Sequence, residues 1–248
     1  MQMNKEHKKT IRLDSSGWGL VLDLKGGRIV SLYHKEKRIL GTYTRIDGKS
    51  GNTHLCLPNF AGEGVELGLP FHGPTRNAIW NIKEKRRYSL VIWCDIPASD
   101  LYPAKLHIEQ SFKMQDNFIH EIKVTNMKGN AVPLNIGCHY YWNCPEGWKG
   151  TRINNEDVSL KIQTNGSKKI DTKNIIKFPH SLYSITQTGF SKVVLWTGFK
   201  MDDDKKIFDS LYCCIEPVRG EGDFFGSSVS LIAPGKTVST SFQIDETV

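Results

Sequence analysis

Apolar and polar residues alternate along most of this chain. The stretch Lys105-Leu-His-Ile-Glu-Gln-Ser-Phe112 alternates, turns at Gln115-Asp116-Asn117 and resumes as Phe118-Ile-His-Glu-Ile-Lys-Val124. A period of two is the mark of a strand with one face in a core. Residues 19–24 and 28–33 flank Lys25-Gly26-Gly27, which predicts a hairpin with a glycine turn. Residues 88–94, 192–197, 211–215, 228–233 and 237–244 predict further strands, the last two joined by Pro234-Gly235. The only helix-like stretch is short, residues 202–208. Many short strands with turns about every ten residues predict an all-β protein, an antiparallel sandwich or barrel. No repeat, linker or low-complexity segment interrupts the pattern, so residues 1–248 are expected to form one domain.

Composition narrows the class. With 248 residues, 39% hydrophobic, the chain can bury a sizeable core and is not disordered. The net charge of +7 comes partly from Lys5, Lys8 and Lys9. Two other basic clusters, Lys35/Lys37/Arg38 and Lys83/Lys85/Arg86/Arg87, are interrupted by Glu36 and Glu84 and read as solvated faces. No nucleic-acid-binding motif accompanies them, so no nucleic-acid partner is expected. The six cysteines, Cys56, Cys94, Cys138, Cys144, Cys213 and Cys214, lack CxxC spacing. Zinc-ligand spacings are absent, and buried free thiols in a reducing compartment are expected instead. The N-terminus has no apolar core of a signal peptide, and no apolar run approaches a membrane span. A cytoplasmic protein without a membrane partner is expected.

Three segments carry candidate chemistry. In Gly68-Leu-Pro-Phe71-His72-Gly-Pro-Thr-Arg76-Asn77, two glycines and two prolines prevent a long helix or an interior strand. The segment reads as a rigid loop presenting His72 and Arg76, although a charged loop is ordinarily solvated surface. Arg76 has a structural alternative in an ion pair with Glu63 or Glu66. Residues 131–142, read as a strand, place Val132, Leu134, Ile136, Cys138 and Tyr140 on a core face. Pro133, Asn135, Gly137, His139 and Tyr141 fall on the other, with an imidazole, a phenol and a gap at Gly137. In 211–217, Tyr212, Cys214 and Glu216 share one face. Glu216 is then either an exposed edge carboxylate or a site residue.

Together these segments resemble the aldose 1-epimerase (galactose mutarotase-like) family, nearest to its shorter hexose-6-phosphate mutarotase-like members. The resemblance rests on an ordered set of motifs: Gly26-Gly27-Arg28-Ile-Val-Ser-Leu32; Pro58-Asn59-Phe60 with Gly68-Leu-Pro-Phe-His72-Gly; Asn126 through Pro133 to Gly137-Cys-His139-Tyr-Tyr; Cys214-Ile-Glu216-Pro; and Pro234-Gly-Lys-Thr237. It implies an antiparallel β-supersandwich with a concave site and an isomerase that interconverts α and β anomers of a free hexose or hexose phosphate. It implies Glu216 as general base and His139 as general acid, with no cofactor and no metal. A nearby Glu216 charge is expected to lift the His139 pKa. His72, Arg76, Asn59, Phe71, Tyr141 and Trp142 are the implied substrate-binding residues. Arg76 suits hydroxyls or a phosphate. The larger members carry an aspartate that binds a sugar hydroxyl; Asp171 is the candidate match. A monomer or weak homodimer is expected. The alternative is a non-catalytic carbohydrate-binding protein on the same scaffold.

Overall fold

The alternating segments pair into two large antiparallel sheets in a computed structural model, which describes residues 10–220, 224 and 229–246. Among the described residues one sheet has ten strands and the other nine. The main path of the first runs Thr10–Ser15, Trp18–Asp23, Arg28–His34, Lys37–Leu40, Tyr141–Asn143, Tyr212–Arg219, Ile136–His139 and His54–Cys56. Lys192–Trp196 pairs along the other edge of Tyr212–Arg219 and carries Ser167–Lys169 beyond it. The second sheet has Ser181–Thr188, Thr237–Glu246, Phe118–Gly129, Ala104–Met114 and Ser89–Ile96 at its centre.

The core lies between the sheets because their inner faces are the apolar halves of the alternating strands. Ala104–Met114 turns Leu106, Ile108, Phe112 and Met114 inward. Trp18 of one sheet meets Phe118 of the other, and Tyr140 stacks on Phe242 with centroids 4.8 Å apart. A buried polar chain also crosses the core. The His120 Nε2–H donates to Gln110 Oε1 (3.0 Å), the Tyr140 hydroxyl donates to His120 Nδ1 (2.8 Å), and Gln110 Nε2 donates to the Gly27 carbonyl (3.3 Å). Each member is satisfied, so the chain specifies how the sheets register rather than weakening the core. Burial pushes the His120 pKa down to about 3.

The predicted strands are present in whole or in part, with local differences. Residues 202–208 are not helical: Phe199–Asp202 and Lys205–Phe208 form a hairpin. Asp203 and Asp204 take φ of 43° and 63°, the left-handed pair a two-residue turn needs and one that aspartate tolerates. Residues 131–142 break into Val132–Pro133, Ile136–His139 and Tyr141–Asn143, but the two faces keep their predicted alternation. Strands Lys173–Phe178 and Ser181–Thr188 and the five-residue helix Ser159–Gln163 were not read from the sequence. Of the 228–233 segment, Leu231–Ile232 is a strand and Ser228 lies outside the described residues, as do Lys5, Lys8 and Lys9.

All six cysteines are buried and unbonded. Among the described residues no helix is long and apolar enough to cross a membrane.

Candidate active site

Tyr212–Arg219 is buried along its length because both of its faces are covered. Cys213 and Ile215 enter the core between the sheets, while Tyr212, Cys214 and Val218 belong to small clusters on the outer face. Register then assembles a row from distant parts of the chain. Val194 pairs with Glu216 on one side. On the other side Gly137 pairs with Val218 and Tyr141 with Cys214, which sets His139 opposite Glu216. His139 in turn pairs with His54. Val194, Glu216, His139 and His54 therefore run side by side across four strands.

His139 Nε2 lies 3.4 Å from Glu216 Oε1, with 6% of the histidine and 2% of the glutamate exposed. The imidazole is held like a card between two rings. His54 stacks on it with centroids 5.0 Å apart, and Tyr141 with centroids 4.7 Å apart and planes 14° from parallel. The Trp196 ring meets it edge-on.

The loop after His54–Cys56 closes over this row and owes its shape to buried bonds. Thr75 donates its hydroxyl to the Leu55 and Leu57 carbonyls, and the Trp80 indole donates to the Thr75 carbonyl. Arg28 donates to the Arg76 carbonyl (2.8 Å) and to Asn52 Oδ1 (2.9 Å). Gly73 takes φ 73°, and a Cβ there would strike the Leu57 carbonyl, so the turn requires glycine. The result is a cavity of about 280 Å³ whose wall includes Arg45, Phe60, Phe71, His72, His139, Trp196 and Glu216. A larger hollow of about 1010 Å³ lies near Arg12, Trp18 and Tyr33 at the Ser15–Trp18 turn, but Glu216 and His139 are not on its wall.

The predicted residues divide. Glu216, His139, His72 and Phe71 meet at the cavity. His72 Nδ1 accepts the Ala61 N–H (3.2 Å), and burial beside Arg76 and Arg45 pushes its pKa down to about 4. The neutral ring thus presents Nε2–H as a donor.

Four predicted positions are corrected. Asn59 is fully buried and does not reach the cavity; its amide donates to the Pro70 carbonyl (3.1 Å) and braces the loop. Trp142 points to the opposite side of the sheet, into the core against Phe178 and Tyr183, because it is one residue out of phase with Tyr141. Tyr141 is buried behind His139, so it clamps the imidazole rather than facing a sugar. Asp171 is exposed and off the cavity wall; its backbone engages Asn174 and Gln187.

Arg76 sits beside the site without forming part of the cavity wall, its Nη1 reaching the Phe71 carbonyl at 3.5 Å. Glu63, one of its alternative partners, accepts from Asn135 Nδ2 (2.6 Å). Sequence reading missed Arg45, which lies over the Trp196 ring at 5.6 Å, and also His54. Arg45 had no motif around it. His54 was visible only as a polar residue before an apolar pair.

Electrostatics also depart from expectation. Burial dominates, holding the His139 pKa well below and the Glu216 pKa well above their ordinary values. The expected upward shift of His139 is therefore reversed. Taking either group out of water penalises its charged form more than the partner 3.4 Å away rewards it. Both shifts favour the uncharged forms, a protonated Glu216 carboxyl beside a neutral His139 imidazole.

A model of the aldose 1-epimerase family matches residues 26–188, more than half of the chain. The chain belongs to the aldose 1-epimerase family. That match contains His54, His72 and His139 and ends before Glu216. Solved structures of similar shape extend over the rest. A galactose mutarotase related enzyme from Lactobacillus acidophilus has a TM-score of 0.74 at 15% identity, covering 96% of this chain and 97% of its own. A galactose mutarotase-like protein from Lactobacillus casei has a TM-score of 0.73 at 14% identity, covering 95% and 99%. Another from Clostridium acetobutylicum has a TM-score of 0.69 at 16% identity, covering 98% and 96%. At such identities the likeness establishes the galactose mutarotase-like fold of this aldose 1-epimerase family member. No curated protein matches the chain.

Proposed function

We propose that this protein is an aldose mutarotase that interconverts α and β anomers of a free hexose or hexose phosphate, with Glu216 and His139 as its proton-transfer pair. The observation that carries the reading is the 3.4 Å contact between these two buried groups on the wall of a sugar-sized cavity.

Ring opening removes the proton of the anomeric hydroxyl and delivers one to the ring oxygen. Glu216 as carboxylate takes the first, and His139 as imidazolium gives the second. The resting pair already holds the proton this requires. Moving it from Glu216 to His139 leaves the net charge unchanged, and sugar hydroxyls donating to the carboxylate favour that move. After rotation about C1–C2 the ring recloses on its other face with the roles reversed, and the pair returns to its starting state. Each positioned group contributes roughly 10²–10⁴ in rate.

His72 donates through Nε2–H to a ring or hydroxyl oxygen. Phe71, Phe60 and Trp196 offer apolar surface to the C–H faces of the sugar. Arg45 supplies a guanidinium on the wall for hydroxyls or a phosphate. The chain works as one domain, and its six unbonded cysteines suit a reducing, cytoplasmic setting.

The test follows α-to-β exchange of glucose, galactose and glucose 6-phosphate by NMR, with wild type and Glu216→Gln. Acceleration of one sugar that disappears in the variant supports the proposal. Sugar binding without acceleration would replace it with a non-catalytic carbohydrate-binding protein.

A further inference from the structure

Cys214 Sγ, a His139 ring nitrogen and a Glu216 carboxylate oxygen lie within 4.8 Å of one another, and all three residues are buried. Sequence spacing hides the group. Cys214 and Glu216 are two apart on one strand and so share a face, while His139 reaches them only across the sheet. We propose that this trio is a binding site for a thiophilic divalent cation, Zn²⁺ or Cd²⁺, and that its occupation arrests the proton-transfer pair. The site itself stands on geometry alone; the arrest rests on the mutarotase reading above.

The donor set of one nitrogen, one sulfur and one carboxylate oxygen suits a borderline-soft ion. Charge balance favours it. The ion displaces the thiol proton and the carboxyl proton to solvent, leaving a thiolate, a carboxylate and a neutral imidazole around a double positive charge. The buried complex carries no net charge, unlike a lone carboxylate or imidazolium at the same place.

The separations are close to those required. Donors bonded at zinc distances sit roughly 3.3–3.7 Å apart in a tetrahedron. The His139–Glu216 contact is already 3.4 Å, and the 4.8 Å limit leaves about 1 Å for side-chain adjustment.

His139 Nδ1 is buried without a hydrogen-bond partner, so no second bond fixes the tautomer, and the ring can carry its proton on Nδ1 and present Nε2 to the ion. His139 and Glu216 line the cavity, which provides an entry path and a fourth ligand position for water or a sugar hydroxyl. Arg45 on the same wall repels cations. A hard ion such as Mg²⁺ or Ca²⁺ has no thiolate bond to offset that repulsion, so the site discriminates against both.

The full chain is titrated with Cd²⁺ while its ultraviolet sulfur-to-cadmium charge-transfer band is recorded, and anomer exchange is followed in parallel. The expected result is a band that saturates at one equivalent, is displaced by Zn²⁺, and rises as exchange falls. Cys214→Ser abolishes the band and raises the metal concentration for half-inhibition by at least about 100-fold, beyond the roughly 10–100-fold typical of losing an outer-shell partner. Glu216→Gln keeps the thiolate band at affinity weakened at least roughly tenfold, and it carries the test if the serine variant does not fold. A band that survives Cys214→Ser overturns the site, pointing instead to Cys144 and Cys213, whose sulfurs lie 3.9 Å apart in the core. Unchanged affinity in Glu216→Gln, or no band at millimolar Cd²⁺, also overturns it. A normal band in a protein with no sugar turnover keeps the metal site and removes the mutarotase.

Discussion

His54 and His139 stand in register on adjacent strands with their rings stacked 5.0 Å apart, and the His54 Nδ1–H donates to the Asn52 carbonyl at 2.8 Å. Arg28 secures Asn52 in turn through its Oδ1. Burial keeps the His54 pKa well below its ordinary value, so a neutral ring backs the His139 imidazole. Under the proposed mutarotase mechanism His54 would act as a positioning residue that orients His139. His54→Ala should lower kcat by about 10–100-fold with little change in KM, since small misplacements of a proton donor are costly. His54→Phe, which restores a flat ring, should recover most of the loss. Steady-state anomer exchange decides; an alanine variant with unchanged kcat contradicts the role.

The proton-transfer pair should behave as a unit. Glu216→Gln and His139→Gln are each expected to reduce kcat by roughly 10²–10⁴. The double variant should be scarcely slower than the worse single one, because either loss already breaks the shuttle. Multiplicative losses in the double variant would mean that the two groups act independently.

Gly137 lies under the ring of Phe60, and a Cβ at that position would run into the ring. The sequence marked a small gap here; in the structure Phe60 fills it. Gly137→Ala should cost about 1–3 kcal/mol as an overpacked site. It should also raise KM, because Phe60 is part of the cavity wall. Denaturant unfolding and sugar titration on one sample test both. A KM equal to wild type would show that the wall does not depend on this packing.

Acid should unfold the protein through its buried histidines. His120 keeps a pKa of about 3 when folded, whereas the unfolded chain takes up the proton near 6.5. The unfolded state therefore binds more protons between these values. This contribution is fully present above pH 6.5 and falls as pH drops toward 3, by about 1.4 kcal/mol per pH unit. His72, with a folded pKa of about 4, acts the same way down to pH 4. Urea unfolding at pH 7, 6 and 5 should show the decline, and His120→Gln should flatten it by about one proton. The variant should lose about 1–3 kcal/mol at pH 7 from the disturbed Gln110–Tyr140 chain. An equal slope in both proteins would place the acid sensitivity elsewhere.

What the chain determines on its own is the strands and their faces. Alternation is a relation between near neighbours, so Ala104–Met114, Phe118–Gly129 and the paired faces around His139 and Glu216 could be read directly. The failures were local as well. Asp202 to Phe208 looked helical because nothing in the stretch shows that two aspartates will take positive φ. The motifs that resemble the aldose 1-epimerase family marked His72, His139 and Glu216 as candidates, and all three line one cavity.

Tertiary structure alone decided which of the marked residues meet. Pairing of strands far apart in sequence set Val194, Glu216, His139 and His54 in one row. The phase of Trp142 was legible locally, but its partners Phe178 and Tyr183 come from distant strands. Loop packing turned Asn59 into a brace and brought Arg45 onto the cavity wall. Burial, which only the assembled sheets create, reversed the expected shift of His139. A side chain's type and phase are written locally, but its solvation and its partners across a sheet depend on residues no local pattern can specify.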